Sequence, residues 1–196
     1  MRIDLDQEGR KGRYLSAGLK LFAEHGYNLV TVRDIAKEAG TSEAALYRHF
    51  KSKEEMTLYL FELILKHYTH DIGEIARDKT RTTIERLCDM QRYTYAFYHD
   101  DPESVQFALL SQYQFWDQVE DELKPHFWMR EVIEEGLASG EIVPKSLYLL
   151  ISLYTGLILE PLIQYAYFKD EHPDWELFTE GVAESIVRLL ENHEFK

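Results

Sequence analysis

Glu43, Ala44, Tyr47 and Arg48 fall on one face of a short predicted helix whose other face carries Leu46 and Phe50, four residues apart. The stretch containing them, TVRDIAKEAGTSEAALYRHF from Thr31 to Phe50, reads as two short helices around a turn with a glycine in it. That is the layout of a DNA-reading helix-turn-helix, and equally of a helical hairpin inside a larger bundle. A second set of residues suggests different chemistry. His67 and His70, three apart with Asp71 beside them, offer metal ligands on one helix face. No second pair at ligand spacing accompanies them, and G-x-S-x-G, a Gly-rich phosphate loop and Cys-x-x-Cys are all absent from the chain. Cys88 has no neighbouring base in sequence, so catalysis is not expected.

The elements that position the first set are well marked. Thr31 caps the first helix and Asp34 stands at its third position, as in a capping box. Ile35, Ala36 and Ala39 share a face, and Gly40 ends the helix by taking the left-handed conformation. Thr41 and Ser42 supply the next cap. Ala36 is the small residue at the crossing, Gly40 the permissive turn and Leu46 the apolar anchor. Upstream, Leu15, Leu19 and Phe22 form a stripe on a helix ending at His25 and Gly26, with Arg10, Lys11 and Arg13 at its beginning. Downstream, Ser52 to Glu55 is an S-x-x-E box opening a long helix from Lys53 to about Ile72. A three-helix head followed by a fourth, longer helix is expected.

LFAEHGY, TVRDIAKEAGTS, LYRHF and KSKEEM, between Leu21 and Met56, match in order and spacing the signature of the TetR-type (TetR/AcrR) transcriptional regulators, which this chain resembles. GLASGEI, Gly136 to Ile142, resembles the segment that ends the seventh helix in that family, and Ala44 stands where the family often has Gly. The resemblance implies an all-α protein of about nine helices: a helix-turn-helix DNA-binding domain over 1–52 and a ligand-binding and dimerisation domain over 53–196. It further implies a dimeric, ligand-responsive regulator, repression being the expected role, on a palindromic double-stranded operator with heads about one DNA turn, ~34 to 36 Å, apart.

The same resemblance assigns site residues. Thr31, His49 and Lys53 look like phosphate contacts, with Lys11 an additional one from the N-terminal arm, and Thr41 and Ser42 begin the reading helix. Arg48 suits a guanine, Glu43 a cytosine amino group and Ala44 a thymine methyl, while Tyr47 reads the groove or stacks on the backbone. An effector cavity would draw Leu63 and His67 from the fourth helix. Met90, Tyr93, Phe97, Phe107, Leu110 and Tyr113 would come from the middle helices, Trp128 and Val132 from the seventh, and Tyr154 would close it.

Composition adds constraints. A hydrophobic content of 45% argues against disorder, and the single cysteine excludes an intramolecular disulfide. The N-terminus, MRIDLDQEGRKGR, has no apolar core of the kind a signal peptide needs, so a cytoplasmic location is expected. Residues 1–55 carry ten Lys/Arg and nine Asp/Glu, whereas 56–196 carry twelve and twenty-six, which confines the acidic excess to the region beyond the head. That excess either keeps non-specific DNA affinity modest or simply solvates the surface.

Ten of the chain's 26 aromatics lie between Tyr93 and Trp128, among seven acids and the single base Lys124. Such a segment suits an apolar, aromatic or cationic small effector, or else serves as ordinary core. No cofactor or metal is expected. The apolar stretch 147–168 reaches the length of a membrane span, but Ser152, Thr155, Gly156, Glu160, Pro161 and Gln164 interrupt it. It is expected to pair instead with a second copy, together with the last helix over 174–190, as a four-helix bundle. Glu160 then faces either the cavity or the edge of that interface. A metal-dependent helical enzyme and a protein-binding adaptor without DNA affinity are the alternatives.

Overall fold

The computed structural model describes residues 2–111, 113–168 and 174–192. Among them are nine α-helices, no strand, and one isolated antiparallel bridge between Ile142 and Glu191. The helices are α1 (Arg10–His25), α2 (Val32–Glu38), α3 (Glu43–Leu46), α4 (Lys53–Arg77), α5 (Thr83–Asp100), α6 (Pro102–Val105), α7 (Pro125–Ser139), α8 (Leu147–Tyr167) and α9 (Trp175–Leu190). The chain divides into two compact units, 1–67 with 97–120, and 68–96 with 121–196. Helices α4 and α5 are each continuous across that division.

The first unit contains the expected 1–52 head and more. A 3-10 turn, Leu5–Glu8, precedes α1, and the Glu8 carboxylate accepts from the Tyr59 hydroxyl of α4. Leu15, Phe22, Ile35, Leu46, Met56, Leu60 and Phe61 are buried, which is the apolar set that brings α1, α2, α3 and the start of α4 together. The added part follows α5: α6 runs into a π-helical turn, Gln106–Ser111, and a 3-10 turn, Tyr113–Gln118. Its aromatics complete the core of the head. Phe107 stacks on Phe22 at 5.6 Å and 19° and meets Phe61 edge-on at 6.2 Å, while Phe115 meets Tyr27 edge-on at 5.3 Å. Helix α4 runs five residues past the Ile72 expected from sequence, because its stop signals begin only at Asp78.

Polar ties join the apolar packing of the second unit. Arg86, 1% exposed, donates to the Ala76 carbonyl and to Glu135, which also takes Lys79. The Glu141 carboxylate accepts the N–H groups of Thr83 and Ile84 and the Thr83 hydroxyl, tying the end of GLASGEI to the start of α5. Burial alone would raise the pKa of Glu141, but these donors hold it below the ordinary carboxylate value. Gly140, at φ +84°, ends α7 in the left-handed conformation.

Helix α8 has two distinct faces. Leu150, Tyr154, Ile158 and Leu162 are buried at four-residue spacing, with the Tyr154 hydroxyl donating to the Leu87 carbonyl at 2.7 Å. Opposite them, Leu149, Leu153 and Ile163 are 44, 41 and 39% exposed. Glu160 lies on this outward face and accepts from Gln164 at 2.7 Å. The helix is long and apolar enough to cross a membrane by length and composition, with 22% of that window buried.

One close approach gives a test of this packing. A Cβ on Gly136 would lie 2.6 Å from Thr83 Oγ1 and 2.5 Å from the end of Ile142. Gly136→Ala is therefore expected to lower stability by about 1–3 kcal/mol, read as a lower melting temperature.

Candidate nucleic-acid interface

Local hydrogen bonds shape the caps and the turn of the helix-turn-helix, while the buried Thr41 hydroxyl makes none. Thr31 accepts from the Asp34 N–H at 3.2 Å, and the Asp34 carboxylate accepts from the Thr31 N–H at 2.9 Å and its hydroxyl at 2.6 Å. Those bonds, the hydroxyl's first, hold the Asp34 pKa below its ordinary value. At the other end of α2, Gly40 has φ +65°, its N–H reaching the Lys37 carbonyl and that of Thr41 reaching Ala36. This is a Schellman close, and it turns the chain sharply into α3. Ser42 caps α3 by accepting from the Ala45 N–H at 3.3 Å.

The turn presents one face outward. Leu46 is fully buried, whereas Glu43, Ala44, Tyr47 and Arg48 are exposed, with Tyr47 at 50%. Regular α-helix ends at Leu46, and Tyr47, Arg48 and His49 continue it as hydrogen-bonded turns. His49 is half-buried, its ring 5.6 Å from that of Tyr14. Thr41 is half-buried and Ser42 exposed. Phe50 closes the motif, 3% exposed.

Two cations are tied down by partners that sequence order does not reveal. The Lys53 ammonium donates to the carbonyls of Tyr27 at 2.9 Å and Val30 at 2.8 Å and lies 3.9 Å from the centroid of the Tyr27 ring. Burial lowers its pKa from the ordinary lysine value. An ammonium has three N–H donors, so a third is left for a phosphate. Lys11 sits over the rings of Tyr59 at 4.9 Å and Phe50 at 5.6 Å. Thr31, Glu43, Ala44, Tyr47 and Arg48 are exposed, whereas Lys11 and Lys53 are in part structural.

The residues expected to line an effector cavity are divided between the units. Leu63, His67, Phe97, Phe107 and Leu110 fall in the first, where His67 is exposed with its ring 5.9 Å from Phe97, and Phe107 is committed to Phe22 and Phe61. Met90, Tyr93, Trp128, Val132 and Tyr154 fall in the second. There the Tyr93 hydroxyl donates to Asp71 at 2.8 Å, and Trp128 covers Gly73 beside the Arg77 guanidinium. The Tyr113 side chain lies outside the described residues. Two surface grooves are described on the first unit, the larger about 740 Å³, and neither is lined by any of these ten residues. Among the described residues no group of three or more His, Cys, Asp or Glu could hold a metal, and Asp71 is engaged by Tyr93 rather than paired with His67 and His70.

A buried-cored turn that caps itself and exposes one short helix has the layout of a helix-turn-helix. Residues 15–60 match the family model described as bacterial regulatory proteins, tetR family. The transcriptional repressor KstR2 of Mycobacterium tuberculosis is 33% identical over 151 residues, covering 73% of this chain and 74% of that protein. The chain belongs to the tetR family, and it is a DNA-binding transcriptional regulator. The fold is shared with two solved structures of this kind. FadR from Bacillus subtilis, in complex with stearoyl-CoA, has a TM-score of 0.74 at 23% identity, covering 90% of this chain and 97% of that one. KstR2 of Mycobacterium tuberculosis has a TM-score of 0.73 at 24% identity, covering 94 and 96%.

Proposed function

We propose that this regulator is a cytoplasmic repressor whose dimer holds an approximately palindromic operator and releases it when a small effector with a large apolar part binds. The observation that carries the reading is the outward set Glu43, Ala44, Tyr47 and Arg48 above the buried Leu46. Arg48 takes a guanine edge, Glu43 a cytosine amino group and Ala44 a thymine methyl. Thr31, Tyr47, His49 and the third N–H of Lys53 fix the register on phosphates, with Thr41, Ser42 and Lys11 beside them. The similarity to the repressor KstR2 favours repression.

Dimerisation uses the outward faces of α8 and α9. On α8, Leu149, Leu153, Gly156, Glu160, Ile163 and Tyr167 recur at alternating steps of four and three, the period of a helical seam. Around Gly156 and, on α9, Gly181 a Cβ would meet nothing within 4 Å, so each leaves room for a neighbouring backbone. Ser152, Glu160 and Gln164 on the same outward side of α8 favour a protein partner over lipid.

The effector site is placed in the second unit, with Met90, Tyr93, Trp128, Val132 and Tyr154 as its residues. Tyr93, Trp128 and Tyr154, with the Asp71 carboxylate held by Tyr93, suit an aromatic or cationic compound. A second reading, a long-chain acyl thioester, is favoured by the stearoyl-CoA complex of the similar FadR fold. Either acts through α4, whose 25 unbroken residues span about 37 Å. The effector shifts operator affinity by no more than its own preference between the two states of the protein.

Three outcomes test the proposal. Operator duplexes recovered by selection from random DNA should bind the protein tightly, and the Tyr47→Ala, Lys53→Ala double variant should lose that binding while remaining dimeric. Unchanged affinity would refute the site. Sedimentation should give a dimer for the protein and a monomer for Leu153→Glu combined with Ile163→Glu; a dimer in both would move the interface elsewhere. An aromatic amine or stearoyl-CoA at about 100-fold its Kd should stabilise the fold by roughly 2.7 kcal/mol and free the operator. A response to inorganic phosphate alone would contradict the apolar site.

A further inference from the structure

We infer that the segment after α5 is a positioning element for DNA reading, acting through the contact of Phe115 with Tyr27. The inference rests on the proposed phosphate contacts of Thr31 and Lys53.

The segment is anchored to the head at both ends. At its start the Asp101 carboxylate, 3% exposed, accepts from the Ile3 N–H at 3.1 Å and from the Ser104 N–H and hydroxyl at 3.2 and 2.9 Å. In the middle Phe107 stacks on Phe22 of α1. At its end Phe115, 2% exposed, meets the Tyr27 ring edge-on at 5.3 Å and that of Phe61 at 5.9 Å. The π-helical turn between these anchors is a rare geometry, frequently met at functional sites.

Tyr27 is where this support reaches the DNA-facing side. It opens the short turn Tyr27–Leu29 that joins α1 to α2. Leu29 is 79% exposed and anchors nothing, so Tyr27 and the buried Val30 hold the turn to the core. Those two residues supply the carbonyls that fix the Lys53 ammonium, and Thr31 follows Val30 directly. With the Phe115 ring absent, Tyr27 is free to settle inward toward the vacated space. The two carbonyls then move with it, the third N–H of Lys53 loses its direction, and the Thr31 cap loses its footing. An aromatic 88 residues beyond Tyr27 in sequence thereby sets a phosphate contact it does not touch.

The test uses the full-length dimer and a selected operator duplex. Phe115→Ala should weaken operator binding about tenfold and make the slope of log affinity against log salt shallower by about one, the signature of one lost phosphate contact. Phe115→Leu, which keeps bulk without the edge-on ring, should lose about threefold and decides the matter if the alanine variant does not fold. Adding Tyr27→Ala to Phe115→Ala should cost less than the sum of the two single losses, because both act on the one Lys53 contact. Wild-type affinity and slope in the Phe115 variants, or full additivity with Tyr27→Ala, would overturn the inference. So would an affinity loss with an unchanged salt slope. Failure of the wild-type protein to bind any selected duplex would instead refute the proposed function.

Discussion

One ammonium group holds the reading head in register. Lys53 opens α4, yet two of its three N–H groups are spent on the carbonyls of Tyr27 and Val30, and its charge rests on the Tyr27 ring. Those carbonyls lie in and just after the short turn Tyr27–Leu29, and a carbonyl turned away from water is costly if left unpaired. The lysine satisfies them and in the same act fixes where α2 begins relative to α4. Beyond that start the chain is shaped by its own local bonds, the Thr31 cap and the Schellman close at Gly40, which leave Glu43, Ala44, Tyr47 and Arg48 exposed.

The cost of this arrangement is that the head is not complete within its first helices. Phe22 and Phe61 require the rings of Phe107 and Phe115, which arrive only after α5. Burying two such aromatics accounts for several kcal/mol of apolar transfer, a large share of what a small domain has at its disposal. The first unit therefore both carries the helix-turn-helix and anchors a later part of the chain.

What was legible in the sequence was local. The caps at Thr31, Ser42 and Ser52 and the stop at Gly40 are decided by residues three to five apart, and each is found as expected. The stripe of Leu15, Leu19 and Phe22 is buried for the same reason. The bonds of Lys53 to Tyr27 and Val30, 26 and 23 residues away, were not legible, because periodicity does not encode such a pairing. Phe107 read as a cavity residue because an aromatic at helical spacing looks the same whether it lines a pocket or fills a core. Its stacking on Phe22, 85 residues earlier, places it in the head's core. The apolar surround of α8 was visible, but which residues turn inward, Leu150, Tyr154, Ile158 and Leu162, depended on the neighbours it meets.

Hydroxyl-radical footprinting of the protein on its selected operator tests the two-headed reading most directly. Two protected patches related by the operator's twofold, their centres about one helical turn or a whole multiple of it apart, are expected. Each patch should sit over one half-site and vanish together with the other when the dimer is broken. A single unsymmetrical patch, or protection that survives in the monomer, would contradict it.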